Sequence, residues 1–297
     1  MKKTLSLLSI AALVLAGCQA KMETTAQAPA NLVEAATQVE FTPEAPVESE
    51  ATSKPHYVST QAESATLKIK FVLDGKIPEA KNIDGSRDPY CADKEIPNEK
   101  MVIGENGEIA NLAIYLDTRK TKIDLPEIAV EDKKPVLDNK DCIFVPHVVT
   151  ARPGQTIIVK NSDETGHNAN FSFFNNAAVN FLVPANSQKE LELKADEPAP
   201  IPVECNVHPW MKAYLIVTEH PFVGVTNAAG ELIVKDLPVG EVTFKVWHEN
   251  AVKSLDEATV GGKKEKWSRG RMEIELKPGV NDLGTVKLSA DLFKPVN

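Results

Sequence analysis

From Thr66 onward the sequence is a succession of short runs in which apolar and polar residues alternate, cut by turn dipeptides. Leu67-Lys68-Ile69-Lys70-Phe71, Leu112-Ala113-Ile114-Tyr115-Leu116, Thr156-Ile157-Ile158-Val159 and Tyr214-Leu215-Ile216-Val217 are such runs. Asp74-Gly75, Asn106-Gly107, Pro153-Gly154 and Pro238-Val239-Gly240 separate them. Side chains of a strand point alternately to its two faces, so each run can bury one face. No segment shows sustained helical spacing. Many short strands with regular turn signals build a sandwich or barrel, and the chain is read as all-β. At 297 residues it is long enough for one large or two ordinary domains.

Four segments follow. Residues 1–18 stand apart from the fold. Residues 19–63 are rich in Ala, Glu, Thr, Gln and Pro without apolar periodicity, and are read as a disordered tether. A flexible coil of that length reaches on the order of 35–40 Å. Residues 64–219 form one domain with an N-terminal β extension, and a boundary near Glu219-His220-Pro221 opens a small sandwich over 220–297. The strands of 66–117 could equally belong to either sandwich. The formal net charge of −9 gives no basic face for nucleic acid.

Lys2 and Lys3, an apolar stretch over residues 4–16 and Leu15-Ala16-Gly17-Cys18 resemble the lipobox of bacterial lipoproteins. The resemblance implies export and acylation at Cys18, which would anchor the chain to a membrane surface without spanning it. Gln19 after the cysteine implies the outer membrane if the host is Gram-negative. In an exported chain disulfides persist. Cys91, Cys142 and Cys205 then remain, an odd number. If Cys91 and Cys142 pair, Cys205 is left over; two free thiols or an additional metal site are the alternatives. Such a bridge would tie the N-terminal extension to the following strands and contribute about 2–4 kcal/mol.

Cys205-Asn206-Val207-His208-Pro209-Trp210-Met211 places a thiolate, an imidazole and a thioether within one tight loop ahead of an apolar strand. Thiolate and thioether favour Cu(I), imidazole also suits Cu(II), and two imidazoles with one thiolate and a weak methionine make an electron-transfer copper site. His167 follows a strand and a polar turn and is the best second imidazole. The loop resembles the ligand loop of cupredoxins, closest to its amicyanin-like form. Phe144-Val145-Pro146, Pro153-Gly154-Gln155, Val159-Lys160-Asn161 and His167-Asn168 resemble the plastocyanin-like run into the first histidine ligand. The resemblance covers about residues 136 to 219. The exported region is also similar to secreted bacterial proteins called methylamine-utilisation-like, and residues 220–297 to transthyretin-like or carboxypeptidase-regulatory-like sandwiches.

The cupredoxin resemblance implies a Greek-key sandwich holding one type 1 copper ion. His167, His208 and Cys205 would be the equatorial ligands, Met211 the axial one, and Asn168 would hydrogen-bond the ligand loop. It also implies that His208 lies at the solvent edge, with Pro209 and Trp210 as a rim where a redox partner docks. His147 is expected at the surface or behind the ligands, with contact to the metal as the other placement. His220 is read as a boundary residue, His248 as an edge-strand residue and His56 as part of the tether. The basic run Lys263 to Arg271 is read as a solvated hairpin. Zinc, a structural disulfide at Cys205 and a Cys–His nucleophile fit these residues less well. The implied function is electron transfer at the cell envelope, not enzymatic catalysis. A copper carrier or buffer and a structural surface lipoprotein are the alternatives.

Overall fold

The structure, a computed structural model, describes residues 63–296; the leader, Cys18, His56 and the tether up to residue 62 lie outside the described residues. It is all-β: the only helices among the described residues are two single 3₁₀ turns. Strands β1 (Ser64–Asp74) and β2 (Ala113–Leu116) come first. Nine follow: β3 (Val136–Lys140), β4 (Ile143–Val145), β5 (Val148–Ala151), β6 (Thr156–Asn161), β7 (His167–Phe171), β8 (Val179–Val183), β9 (Ser187–Glu192), β10 (Ile201–Glu204) and β11 (Lys212–Val217). The last seven are β12 (Val223–Val225), β13 (Glu231–Pro238), β14 (Gly240–Trp247), β15 (Glu257–Val260), β16 (Lys263–Lys266), β17 (Arg271–Leu276) and β18 (Gly279–Ser289).

The nine central strands make two sheets, ordered β5-β11-β10-β7-β8 and β4-β3-β6-β9. Leu137, Phe144, Val159, Phe171, Ile201 and Leu215 fill the core that they share, and Cys205 and Met211 belong to the same cluster. Burying a large apolar side chain contributes about 1.5–3 kcal/mol, so this core is a stiff base for whatever stands on its rim. Glu204 pairs with both Asn170 and Lys212. That register brings the start of β7 and the β10–β11 loop to one end of the sandwich.

The other sheets are ordered β13-β1-β18-β15-β16 and β12-β2-β14-β17, around a core that includes Leu67, Phe71, Ile114, Phe244 and Trp267. Here the assignment of strands β1 and β2 to the first sandwich is corrected. β1 lies between β13 and β18, parallel to β18, and β2 lies between β12 and β14. Ala65, Leu67, Ile69, Phe71 and Leu73 all point into this second core. Alternation dictates that this face be buried but does not say against which sheet. β2 is buried on both faces. Ile114 and Leu116 enter the second core, whereas Ala113 and Tyr115 pack with Val148 and Ile216 of the first sandwich. The two sandwiches therefore share an apolar seam. The basic run begins as β16, an exposed strand hydrogen-bonded to β15.

Candidate metal centre

His167 is the first residue of β7, and the loop between β10 and β11 supplies Cys205, His208 and Met211. The loop is closed by its own backbone. The Cys205 N–H donates to the Met211 carbonyl at 3.2 Å, and the Met211 N–H donates to that of His208 at 2.9 Å. All four side chains are buried, each at most 1% exposed. The Nδ1 atoms of His167 and His208 face each other at 2.9 Å, and Cys205 Sγ is 3.7 Å from His208 Nδ1. Donor atoms of these three residues all lie within 4.8 Å of one another. Met211 is packed in the same core cluster as Cys205.

Asn168 fastens the ligand loop. Its Oδ1 accepts the N–H groups of Asn206 at 2.7 Å and Val207 at 3.2 Å, and the Cys205 thiol at 3.4 Å. Its amide donates to Asn180 and to Asn206. Oxygen and N–H thus hold the loop in the turn that aims the thiol inward.

The electrostatics of these side chains follow from this geometry. Burial alone would push the Cys205 thiol up, but hydrogen bonds with His167 and His208 outweigh it and bring it down to about 6. Burial lowers His167, yet Asp163 and Cys205 more than offset that and raise it to about 9. His208 is raised by Cys205 and Asp88 against the same opposing burial. A thiolate is thus stabilised by protonated imidazoles at its side; a soft metal ion would use the thiolate as it stands and displace the imidazole protons.

Two carboxylates that sequence reasoning missed stand behind the imidazoles. Asp163 Oδ2 is 2.9 Å from His167 Nε2, and its carboxylate also accepts the N–H groups of Asp141 and Cys142. Asp88 Oδ2 lies 3.2 Å from His208 Nε2, an ion-pair distance without hydrogen-bond alignment. A carboxylate behind a ligating imidazole fixes its orientation and its tautomer. Asp163 had one legible signal, its place four residues before His167. Asp88 comes from the N-terminal extension, and only the fold brings it here.

Cys91 and Cys142 form a buried disulfide, and Cys205 is the free cysteine among the described residues. The bridge pins the loop carrying Asp88 over the loop carrying His208. This overturns the expectation that His208 is a solvent edge: its exposure is 1%. Trp210 is half-buried, its ring 5.1 Å from that of His208, and its indole N–H donates to the Cys142 carbonyl. Of the expected rim, Pro209 is the exposed part.

His147 is neither a surface residue nor joined to the ligands. It is 6% exposed, with Nε2 against Glu249 and Nδ1 3.4 Å from Glu99. An imidazole desolvated at the seam is held by these two carboxylates, not by the metal-donor set. His220 is buried at the boundary, its Nε2 donating to the Leu116 carbonyl. His248 is likewise buried, against Phe293, and is not an exposed edge residue.

No protein-family model and no curated protein matches the chain. Among solved structures, it is similar to the oxidized state of a mutant amicyanin, at 20% identity over 30% of this chain and 86% of that one, with a TM-score of 0.27. A copper-containing nitrite reductase from Thermus scotoductus SA-01 is matched at 16% identity over 33% of this chain and 25% of that one, with a TM-score of 0.28. A purple cupredoxin from Nitrosopumilus maritimus is matched at 16% identity over 29% of this chain and 100% of that one, with a TM-score of 0.25. These likenesses span about a third of the chain at most and do not by themselves place it in a family.

Proposed function

We propose that this chain binds one type 1 copper ion at His167, Cys205, His208 and Met211, and passes single electrons at the bacterial cell envelope. The observation that carries the reading is the convergence of two imidazole Nδ1 atoms and one low-pKa thiol, all buried, on the rim of a rigid sandwich. This donor set fits copper: thiolate and thioether suit the reduced ion, and imidazoles suit both oxidation states. Bound copper would supply a one-electron couple. The protein's own part is to keep the ligands still. Asn168 fixes the loop, Asp163 orients the His167 imidazole, Asp88 sets a counter-charge behind His208, and burial keeps water off the thiolate.

Export and anchoring through Cys18 belong to the same proposal. Among the described residues no helix is long and apolar enough to cross a membrane. A redox partner is the proposed source or sink of electrons. Because His208 is covered, the exposed residues beside the ligands are Asn206, Val207 and Pro209. A carrier that trades copper quickly needs an open edge, and the cover over His208 speaks against it.

The test is the visible and EPR spectrum of the chain after Cu(II) loading, beside Cys205→Ser. An intense thiolate-to-copper band with narrow hyperfine splitting, both lost in the variant, supports the reading. A pale tetragonal copper spectrum overturns it.

A further inference from the structure

We propose that the Cys91–Cys142 disulfide is a redox-sensitive clasp on the metal centre, and that its reduction uncovers His208. The use of such a clasp to govern copper exchange rests on the copper reading above; the clasp itself rests on geometry alone.

Each half of the disulfide is tied to one carboxylate–histidine pair. The Cys91 N–H donates to Asp88 Oδ1 at 3.1 Å, and Asp88 Oδ2 faces His208. The Cys142 N–H donates to Asp163 Oδ2 at 2.9 Å, and Asp163 faces His167. Donor atoms of Asp88, Cys91 and His208 lie within 4.8 Å of one another, as do those of Cys142, Asp163 and His167. The bridge therefore lies immediately behind both imidazoles.

The halves are not equally secure. Asp163 is 1% exposed in the turn between β6 and β7, where its own N–H donates to Asn161 Oδ1, a tie that does not involve the bridge. Asp88 rides on a loop whose regular pairing is one isolated bridge, Ile83 to Ile96. Besides the Asp88–His208 pair, its polar ties to the first sandwich are Lys94 to Asp141, Tyr90 to Asp163 and Thr165 to Asp88. The ion pair among them, Lys94 to Asp141, is surface-exposed and therefore weak. Apolar contacts of Ile83, Ile96 and Tyr90 surround the sulfurs themselves. The covalent bond is the one restraint that ties this loop directly to the β3–β4 turn behind the imidazoles. Without it, local opening of this loop becomes the lowest-energy excursion near the site.

The chemistry is thiol–disulfide exchange. Both cysteines are buried, so the sulfurs are reached through local opening of the Cys91 loop. A dithiol then breaks the S–S bond, delivers two electrons and two protons to leave two cysteine thiols, and closes to its own disulfide. His208 loses Asp88 and gains solvent, whereas His167 keeps Asp163.

The test is deuterium exchange at the imidazole C2 position of each histidine, read by mass spectrometry on the metal-free full chain, oxidised and after dithiothreitol. We expect His208 exchange to rise at least about fivefold on reduction and fall back on reoxidation, with His167 and His248 unchanged. Cys91→Ala/Cys142→Ala should match the reduced state. Equal protection of His208 in both states overturns the proposal, because the cover then holds without the bridge. Loss of protection at His248 as well also overturns it, because the bridge then holds the whole fold. On the copper-loaded chain, transfer of Cu(I) to a bathocuproine-type chelator should quicken about tenfold on reduction. If His208 opens but no copper binds, the clasp stands and the copper reading fails.

Discussion

Asn168 shows how one side chain can set the shape of the Cys205–Met211 loop. Its carbonyl oxygen accepts two backbone N–H groups and a thiol, a set that alanine cannot replace. Asn168→Ala should cost about 1–3 kcal/mol in denaturant unfolding, the usual result of leaving such donors unpaired. It should also move the thiolate–copper band. His147 is the other residue with a measurable signature. Burial lowers its pKa, but Glu249 and Glu99 outweigh that and raise it to about 9 from an ordinary 6.5. Tyr214 donates to Glu249, and Lys100 and Lys212 line the same small cavity, whose volume is about 190 Å³. A base raised in the folded state is stabilising below its unfolded pKa. That stability is therefore complete below about pH 6.5, shrinks as pH rises and is gone above about 9. By linkage it amounts to at most about 3 kcal/mol. Urea titrations across this range should show the decline, and Glu249→Gln should flatten much of it. A slope that survives the substitution would remove His147 as its source.

Among the elements, β1 carries the most weight. Its Leu67, Ile69, Phe71 and Leu73 are buried, and four such side chains contribute roughly 6–12 kcal/mol of transfer energy. That is comparable to the whole net stability of an ordinary domain. The turn before β13 depends on Gly230, with φ +71°, whose carbonyl accepts the Phe71 N–H. A Cβ there would stand 2.4 Å from the Phe71 carbonyl oxygen. Gly230→Ala should lower stability by about 2 kcal/mol or more, read by thermal unfolding. Because the strain falls on the second sandwich, the copper spectrum should change little. A shifted spectrum would mean that the seam transmits strain to the site.

For the whole molecule, the chain closes on itself. β1 is paired on both sides by strands from the C-terminal part, and β2 is an inner strand of the facing sheet. A fragment of residues 220–297 therefore lacks an inner strand from each sheet. Expressed alone it should be unfolded by circular dichroism and amide NMR dispersion. Adding residues 63–117 as a separate peptide should restore structure. A folded fragment without them would show that the boundary near residue 219 marks an independent domain after all.

Ligand spacing, strand alternation and turn chemistry are local properties, and they were legible in the residues. Cys205 and His208 share one loop, so their convergence needs little beyond a tight turn and a following strand. The all-β class and the parity of the cysteines follow from the same kind of reading. What the tertiary structure decided is nonlocal. An alternating strand declares that one face is buried without naming its partner, so β1 and β2 could join either sandwich until the pairings with β12, β13, β14 and β18 were formed. Asp88 and Glu249 carry no pattern that points to His208 or His147. They act as counter-charges because a disulfide and an apolar seam bring distant segments together, and in doing so they turn an expected open edge into a closed one. Sequence determined which donors could meet; packing decided what covers them, because burial depends on contacts that no single segment contains.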